Sequence, residues 1–390
     1  VRLRDGRETI LLISPQPWDG FKVSKHHYAM ELADLGNDVV FLDPPETTGR
    51  FRGIDVSKVE RVTGSIQRVR YRTWFPYNLK FHSRIFYDIG MRIQANRILK
   101  RIGKQYTVVW DFDPSYQFND LNWFRARSKI FHPVDQVTEG RSETKSADVL
   151  LSVAESIAER FRESTIPKLV IPHGLCSQYE AYGRSVISRV EGRASIPIGS
   201  SGRFRVGYAG NLLAKAIDRP VFIEIMLNHP DIEFELFGPF ESLDGQPESA
   251  THWISRLKDL PNVRLHGLVT PQRILEMAPM IDLWLVCYDV GLDHNGGANS
   301  HKILEYLATG SPVVSNRILA YTDTNFIQMP ASSSNTDLPL IFRNTVLDRH
   351  LWDTQQRVDR IRFALKNTYR HHIETIEVFL KKNMTVVEVN

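Results

Sequence analysis

Cysteine is scarce in this sequence: Cys176 and Cys287 are the two among 390 residues, in unrelated contexts and outside any Cys/His cluster. That excludes a disulfide framework and a structural zinc site, and makes a reducing cytoplasm the expected compartment. Long apolar runs are missing too, none approaching the ~18 residues that a membrane-spanning helix needs. The "ILLI" after the basic opening "VRLRDGRET" is too short for the apolar core of a secretion signal and leads into a turn, so it reads as a first buried strand. Neither a Gly-x-Gly-x-x-Gly fingerprint nor a phosphate loop ending in Gly-Lys-Ser/Thr occurs, which counts against nicotinamide-dependent enzymes and ATPases.

What is present is a globular composition, 42% hydrophobic and 24% charged, in a chain long enough for two domains rather than one core. The net charge of +4 is unevenly spread. Residues 68 to 104 hold ten Lys or Arg against one acid, Asp88, a local +9 that leaves −5 for the rest. Tyr71, Trp74, Phe75, Tyr77, Phe81, Phe86 and Tyr87 are interleaved with those cations. The mixture suits an anionic membrane surface or a phosphate-bearing partner, with Arg84, Arg92, Lys100 and Arg101 as the surface cations. A solvated helix face above buried aromatics is the alternative, and nucleic acid is not the expected partner.

Short apolar runs alternate with helical periodicity. "TILLIS" (9 to 14) reads as a strand, "SKHHYAMELADLG" (24 to 36) as a helix closed by a glycine, and "DVVFLDP" (38 to 44) as the next strand. Further strands are expected at 106 to 112, 128 to 134, 147 to 153 and 168 to 174. Their continuous apolar character implies parallel strands buried on both faces. From about 180 to 203 the periodicity dissolves into a Gly-, Ser- and Arg-rich stretch that reads as a linker. The pattern then restarts through "FRVGYAG" (204 to 210), "IEFELFGP" (232 to 239), "NVRLHG" (262 to 267), "DLWLVCYD" (282 to 289), "SHKILEYLATG" (300 to 310) and "SPVVSN" (311 to 316). The expected class is α/β, with two doubly wound Rossmann-like domains facing a cleft. Their limits are 1–180, a linker 181–203, 204–355, and a terminal helical segment 356–390.

The chemistry concentrates in "GGANSHKILEYLATGSPVVSN" (296 to 316). Gly296 and Gly297 permit close backbone approach, Asn299 or Ser300 can cap the following helix, and a helix N-terminus binds anions such as phosphate. Lys302 adds a point charge, and Glu305, further along, suits a vicinal diol such as a ribose. "YAGNLLAKAIDRP" (208 to 220) places Asn211 and Lys215 beyond a strand end, where open α/β sheets bind ligands; Gly267 in "LHGLV" is suited to backbone contact with a base.

With these motifs in view, the second half, from "VGYAGN" through "FELFGP" and "NSHKILEYLATGSPVVSN", resembles the donor domain of GT-B glycosyltransferases similar to family 4. The loop and helix "SPQPWDGFKVSKHHYAMELADLGNDVVFLDPP" (14 to 45) resembles the opening of the same fold. The resemblance implies a nucleotide sugar, UDP- or GDP-linked, as donor. Glu305 would then hold the ribose, the turn from Gly297 to Ser300 the diphosphate, and Lys215 the leaving phosphate, while the terminal helix crosses back to the N-terminal domain. Two positions depart from the pattern. Gly297 stands where many members place a first glutamate eight positions before the second, and the usual Arg then Lys pair appears as Asn211 and Lys215, with Arg219 as a substitute.

In the N-terminal half, Gly20 and Phe21 resemble the family's glycine loop. Asp135, His132 and Asp19 are the candidate catalytic residues, since a carboxylate or imidazole at the cleft can deprotonate an acceptor hydroxyl or stabilise an oxocarbenium. Asp111 and Asp113 in "DFD" read as structural or acceptor-facing, and neither a metal nor a cofactor is expected. The expected activity is sugar transfer to a glycan or polyprenyl-linked saccharide by a cytoplasmic protein resting on the membrane. An epimerase of the same fold and a noncatalytic nucleotide- or glycan-binding relative stay open.

Overall fold

The computed structural model describes residues 2–6, 8–20, 22–48, 51–61, 63–135, 137, 142–192, 202–241, 248–292 and 301–384. They form two compact units, 1–172 with 369–390 and 173–368.

The first unit is built on an eight-stranded sheet in the order β3-β4-β2-β1-β5-β6-β7-β8. Its strands are β1 (Thr9–Ile13), β2 (Asp38–Leu42), β3 (Ile54–Val59), β4 (Ser65–Tyr71), β5 (Val108–Asp111), β6 (Ser128–Phe131), β7 (Val149–Ser152) and β8 (Lys168–Val170). The central strands "TILLI" and "DVVFL" are buried almost end to end, as a parallel sheet covered on both faces requires. Helix α1 (Ser24–Asp34) follows β1 and packs on β2 and β4; α2 (Leu79–His82) and the long α3 (Arg84–Ile102) precede β5, and α4 (Glu155–Ala158) follows β7. The antiparallel edge pair β3–β4 is absent from the sequence reading, which took Arg68 onward as a basic surface. Here Arg68 and Arg70 are half-buried positions of a strand whose Ile66, Val69 and Tyr71 are buried.

The second unit has a six-stranded parallel sheet, β11-β10-β9-β12-β13-β14. Its strands are β9 (Arg205–Ala209), β10 (Glu233–Phe237), β11 (Val263–Gly267), β12 (Leu283–Val286), β13 (Val313–Ser315) and β14 (Ile327–Gln328). Helices α5 (Ser177–Glu191), α6 (Arg219–Leu227), α7 (Glu248–Asp259), α8 (Pro271–Met277), α9 (His301–Thr309), α10 (Leu338–Leu347) and α11 (Thr354–Leu365) surround it. In the core, Trp284 stacks on Tyr306 with ring centres 4.4 Å apart, and the Trp284 indole donates to Thr309 Oγ1 at 2.9 Å.

The expected linker 181–203 is corrected over 181–191, which is helical; 193–201 lie outside the described residues. Tyr179, Gly183 and Val186 form a buried helical stripe of α5, and Gly183 lets that helix close on Ile361 of α11 and the Ala308 carbonyl of α9. The stretch looked like a linker because its packing residue is a glycine. The terminal segment also divides later than 356: α11 belongs to the second unit, whereas α12 (Tyr369–Met384) belongs to the first and packs on α1.

Candidate donor and acceptor sites

In the second unit the strand order reverses between β9 and β12, and ligands of open α/β sheets bind beyond the carboxyl ends of the strands at such a point. Four elements meet there. Gly210 follows β9 and Gly238 follows β10, and they back onto each other: a β-carbon on Gly238, whose φ is +139°, would strike the Gly210 carbonyl oxygen. Gly238 in turn donates to the carbonyl of Gly267, which ends β11 at φ +69°. Tyr208 and Tyr288, from β9 and the end of β12, bring their hydroxyls to 3.3 Å.

Lys302 on α9 completes the cluster. Its ammonium donates to the Tyr288 hydroxyl and lies 5.2 Å from the Tyr208 ring centre and 4.9 Å from that of Tyr288. Two tyrosine faces thus hold a cation without neutralising it. Glu305, one turn further along α9, has no hydrogen bond or ion pair among the described residues. Burial pushes its carboxyl up to about 7, against the opposing pull of Lys302. It faces the start of α5, where the Cys176 thiol and Tyr179 phenol are both raised, first by burial and then by its proximity. Such an acceptor pair of oxygens, without a donor among the described residues, suits a diol.

Lys215 is exposed on the turn after β9, whereas Lys302 is the cation fixed at the strand ends. Asn211 is exposed as well, with its side chain accepting from Leu213 N at 3.0 Å, a local turn contact. The Arg219 guanidinium lies over the Trp253 ring. Gly297, Asn299 and Ser300, and Phe21 in the first unit, lie outside the described residues. Tyr208, Tyr288, Gly210 and Gly238 were missed by the sequence reading, which took them as strand-end residues; the Gly after each of two strands, in "YAGN" and "FGP", was the available signal.

In the first unit the strand order reverses between β1 and β5. Gly20, at φ +95°, lies in the loop after β1, next to Asp19. Asp19 is exposed and pairs with Arg68 at 2.7 Å, and Arg68 also grips Asp43, which accepts from Trp18 N. Asp19 therefore ties the loop to β4, and its carboxylate is already engaged. His132 is a correction of another kind: it is fully buried among Trp110, Phe112 and Tyr28. Burial lowers it to about 3, so it stays neutral, and Nδ1 accepts from Trp110 Nε1 at 3.3 Å, leaving the proton on Nε2. An enclosed, neutral imidazole does not relay protons to solvent. Asp135 is exposed and free of hydrogen bonds among the described residues.

Asp111 and Asp113 are structural. Both are fully buried, with Lys145 Nζ 2.8 Å from Asp111 Oδ2 and donating to the Asp113 carbonyl. Burial raises Asp111 to about 6 despite Lys145; burial also opposes ionisation of Asp113, but Lys145, Ser115 and Gln117 together hold it below the usual range. Lys25, in the first turn of α1, was not singled out from sequence. It is 1% exposed, makes no hydrogen bond among the described residues, and is lowered to about 8 by burial, with Asp135 and Asp113 opposing. Arg84, expected on the surface, turns inward to the Tyr116 carbonyl, Asn119 and Asp88; Arg92, Lys100 and Arg101 are exposed.

No family model matches the chain, and neither does any curated protein sequence. Solved structures do. An α,α-trehalose-6-phosphate synthase from Burkholderia multivorans has a TM-score of 0.66 at 12% identity, covering 98% of each chain. The sucrose-phosphate synthase of Thermosynechococcus elongatus has 0.65 at 12%, covering 98% of this chain and 100% of that one. Anabaena HepE, solved with UDP and glucose, has 0.55 at 14%, covering 95% and 99%. The fold is therefore that of GT-B glycosyltransferases, two parallel-sheet Rossmann-like domains, as the sequence motifs imply.

Proposed function

We propose that this chain is a glycosyltransferase, similar to family 4, that takes a sugar from a UDP- or GDP-linked donor on the second unit. The observation that carries this reading is the placement of Lys302 and Glu305 on one helix at the β9/β12 reversal, a fixed cation beside a carboxylate unpartnered among the described residues. A diphosphate opposite Lys302 and the start of α9, with a ribose diol on Glu305, satisfies both. The fold shared with proteins solved with UDP and glucose supports it.

In this reading Lys302 and the dipole of α9 stabilise the negative charge that develops on the leaving diphosphate. The resemblance leaves that role to Lys215; the fixed position of Lys302 makes it the better candidate. The first unit receives the acceptor, a glycan or polyprenyl-linked saccharide at the cytoplasmic face of an anionic membrane, with Asp135 as the base that draws the proton from the attacking hydroxyl. No separate cofactor is required. Incubating the chain with a panel of nucleotide sugars and a membrane extract, with products followed by mass spectrometry, tests the reading. Release of UDP or GDP coupled to a mass increase in an extract glycan is expected. Conversion of a nucleotide sugar in the absence of any acceptor would instead identify an epimerase, and binding without turnover a noncatalytic relative.

A further inference from the structure

Helix α3 has two apolar faces. One, with Tyr87, Gly90, Met91, Gln94, Ala95 and Ile98, is packed into the first unit. Phe75 seals it, its ring lying against Gly90 where any side chain would collide. The other face is open. Phe81 at the end of α2 is 78% exposed, and Ile85, Phe86, Ile89 and Ile93 on α3 are 74%, 66%, 54% and 44% exposed. Their spacing of three to four residues places the α3 members on one stripe about 12 Å long at ~1.5 Å per residue. Scattered exposed apolar residues need no explanation, but a contiguous stripe of this size does.

Charge decides what covers it. The same exposed face continues with Arg92, Arg97, Lys100 and Arg101, and no exposed residue of α2 or α3 is acidic. None of the four cations has an ion pair or side-chain hydrogen bond among the described residues. The one acid of the helix, Asp88, is taken up by Arg84 and Asn119. A second copy of the chain set two-fold against this face would oppose cation to cation. Lipid with anionic headgroups matches both halves: apolar side chains enter the acyl boundary while the basic end meets the headgroups. The helix lies on the surface rather than across it, since no helix among the described residues is long and apolar enough to span a membrane.

We infer that the outward face of α3, with Phe81, Ile85, Phe86, Ile89 and Ile93 inserted and Arg92, Arg97, Lys100 and Arg101 flanking them, docks the protein on an anionic lipid bilayer. The inference deepens the reading of a membrane-borne acceptor and rests on it for its purpose. Its test is separate, because vesicle binding and nucleotide binding are read independently and either can fail alone.

The test is co-sedimentation of the full chain with phosphatidylcholine vesicles, with and without phosphatidylglycerol. Binding is expected with the anionic vesicles and is expected to weaken as salt rises. The variant Ile85→Ser/Phe86→Ser/Ile89→Ser should lose it. The variant Arg97→Gln/Lys100→Gln/Arg101→Gln, which touches only exposed side chains, should weaken partitioning by about tenfold or more while melting at the same temperature and binding UDP unchanged. Failure to sediment with anionic vesicles at low salt, or binding that survives both variants, would overturn the inference. A dimer that the serine variant dissociates would overturn it as well, assigning the face to a second copy.

Discussion

Lys302 occupies the space that a side chain on Gly210 would need: a β-carbon built on residue 210 lands against the Lys302 ammonium and 2.7 Å from the Tyr208 hydroxyl. The glycine after β9 is thus explained by a cation rather than by a turn. Gly210→Ala should displace that ammonium. Nucleotide affinity is expected to fall about tenfold or more, the scale of one lost charge-assisted hydrogen bond. Calorimetric titration of UDP and GDP measures it, and unchanged affinity would detach Lys302 from the donor site.

Glu305 gives the site a pH dependence. Its carboxyl titrates at about 7 in the fold against 4.5 in the free chain, so the fold disfavours the ionised form. Its contribution to stability is greatest below 4.5 and declines as pH rises through 7. Diol binding needs the ionised acceptor. Nucleotide affinity should therefore increase from pH 5.5 to 7.5 and level off above about 7, and Glu305→Gln should weaken binding and flatten the profile. Titrations across that range decide the matter; a profile that the substitution leaves intact would place the titrating group elsewhere.

The buried network of the first unit makes a prediction about stability. Lys145 is held at φ +56°, fully enclosed between Asp111 and Asp113. Lys145→Ala would leave two buried carboxylates without their cation, and is expected to destabilise the fold by about 3–5 kcal/mol. Urea denaturation measures this. A loss under about 1 kcal/mol would mean that water replaces the ammonium at little cost.

Lys25 is predicted to behave in the opposite sense. Its ammonium is buried without a hydrogen bond among the described residues, so Lys25→Met keeps the apolar stem and removes a desolvated charge. The melting temperature should hold or rise. If Asp135 works beside it, transfer activity should drop while UDP affinity is unchanged. Equal activity in the variant would make Lys25 a bystander of Asp135.

The parallel sheets were legible because their strands are mostly apolar runs: "TILLI", "DVVFL" and "LWLV" carry their burial in their composition. The edge hairpin β3–β4 was not, because its residues alternate with charge and its arginines resembled a basic surface. Glu305 and Lys302 were visible through the motif around them. The tyrosine pair that fixes Lys302 was hidden, since Tyr208 and Tyr288 lie 80 positions apart and meet only when β9 and β12 are neighbours. His132 misled for the reverse reason: a histidine after a strand reads as chemistry, and only the Trp110, Phe112 and Tyr28 rings around it reveal a core residue. The aromatics of 71 to 87 divided in the fold, with Tyr71, Phe75 and Tyr87 inward and Trp74, Phe81 and Phe86 outward, a partition that the sequence pattern alone does not make.

The central claim is that the β9/β12 reversal of the second unit seats a nucleoside diphosphate sugar on Lys302 and Glu305. The most direct measurement is calorimetric titration of the intact chain and of Lys302→Met with UDP-glucose, GDP-mannose and their free diphosphates. One base should bind the intact chain, its diphosphate about as tightly as its sugar conjugate, and Lys302→Met should weaken both by about tenfold to a hundredfold. Absence of binding by all four ligands, or equal affinity in Lys302→Met, would contradict the account.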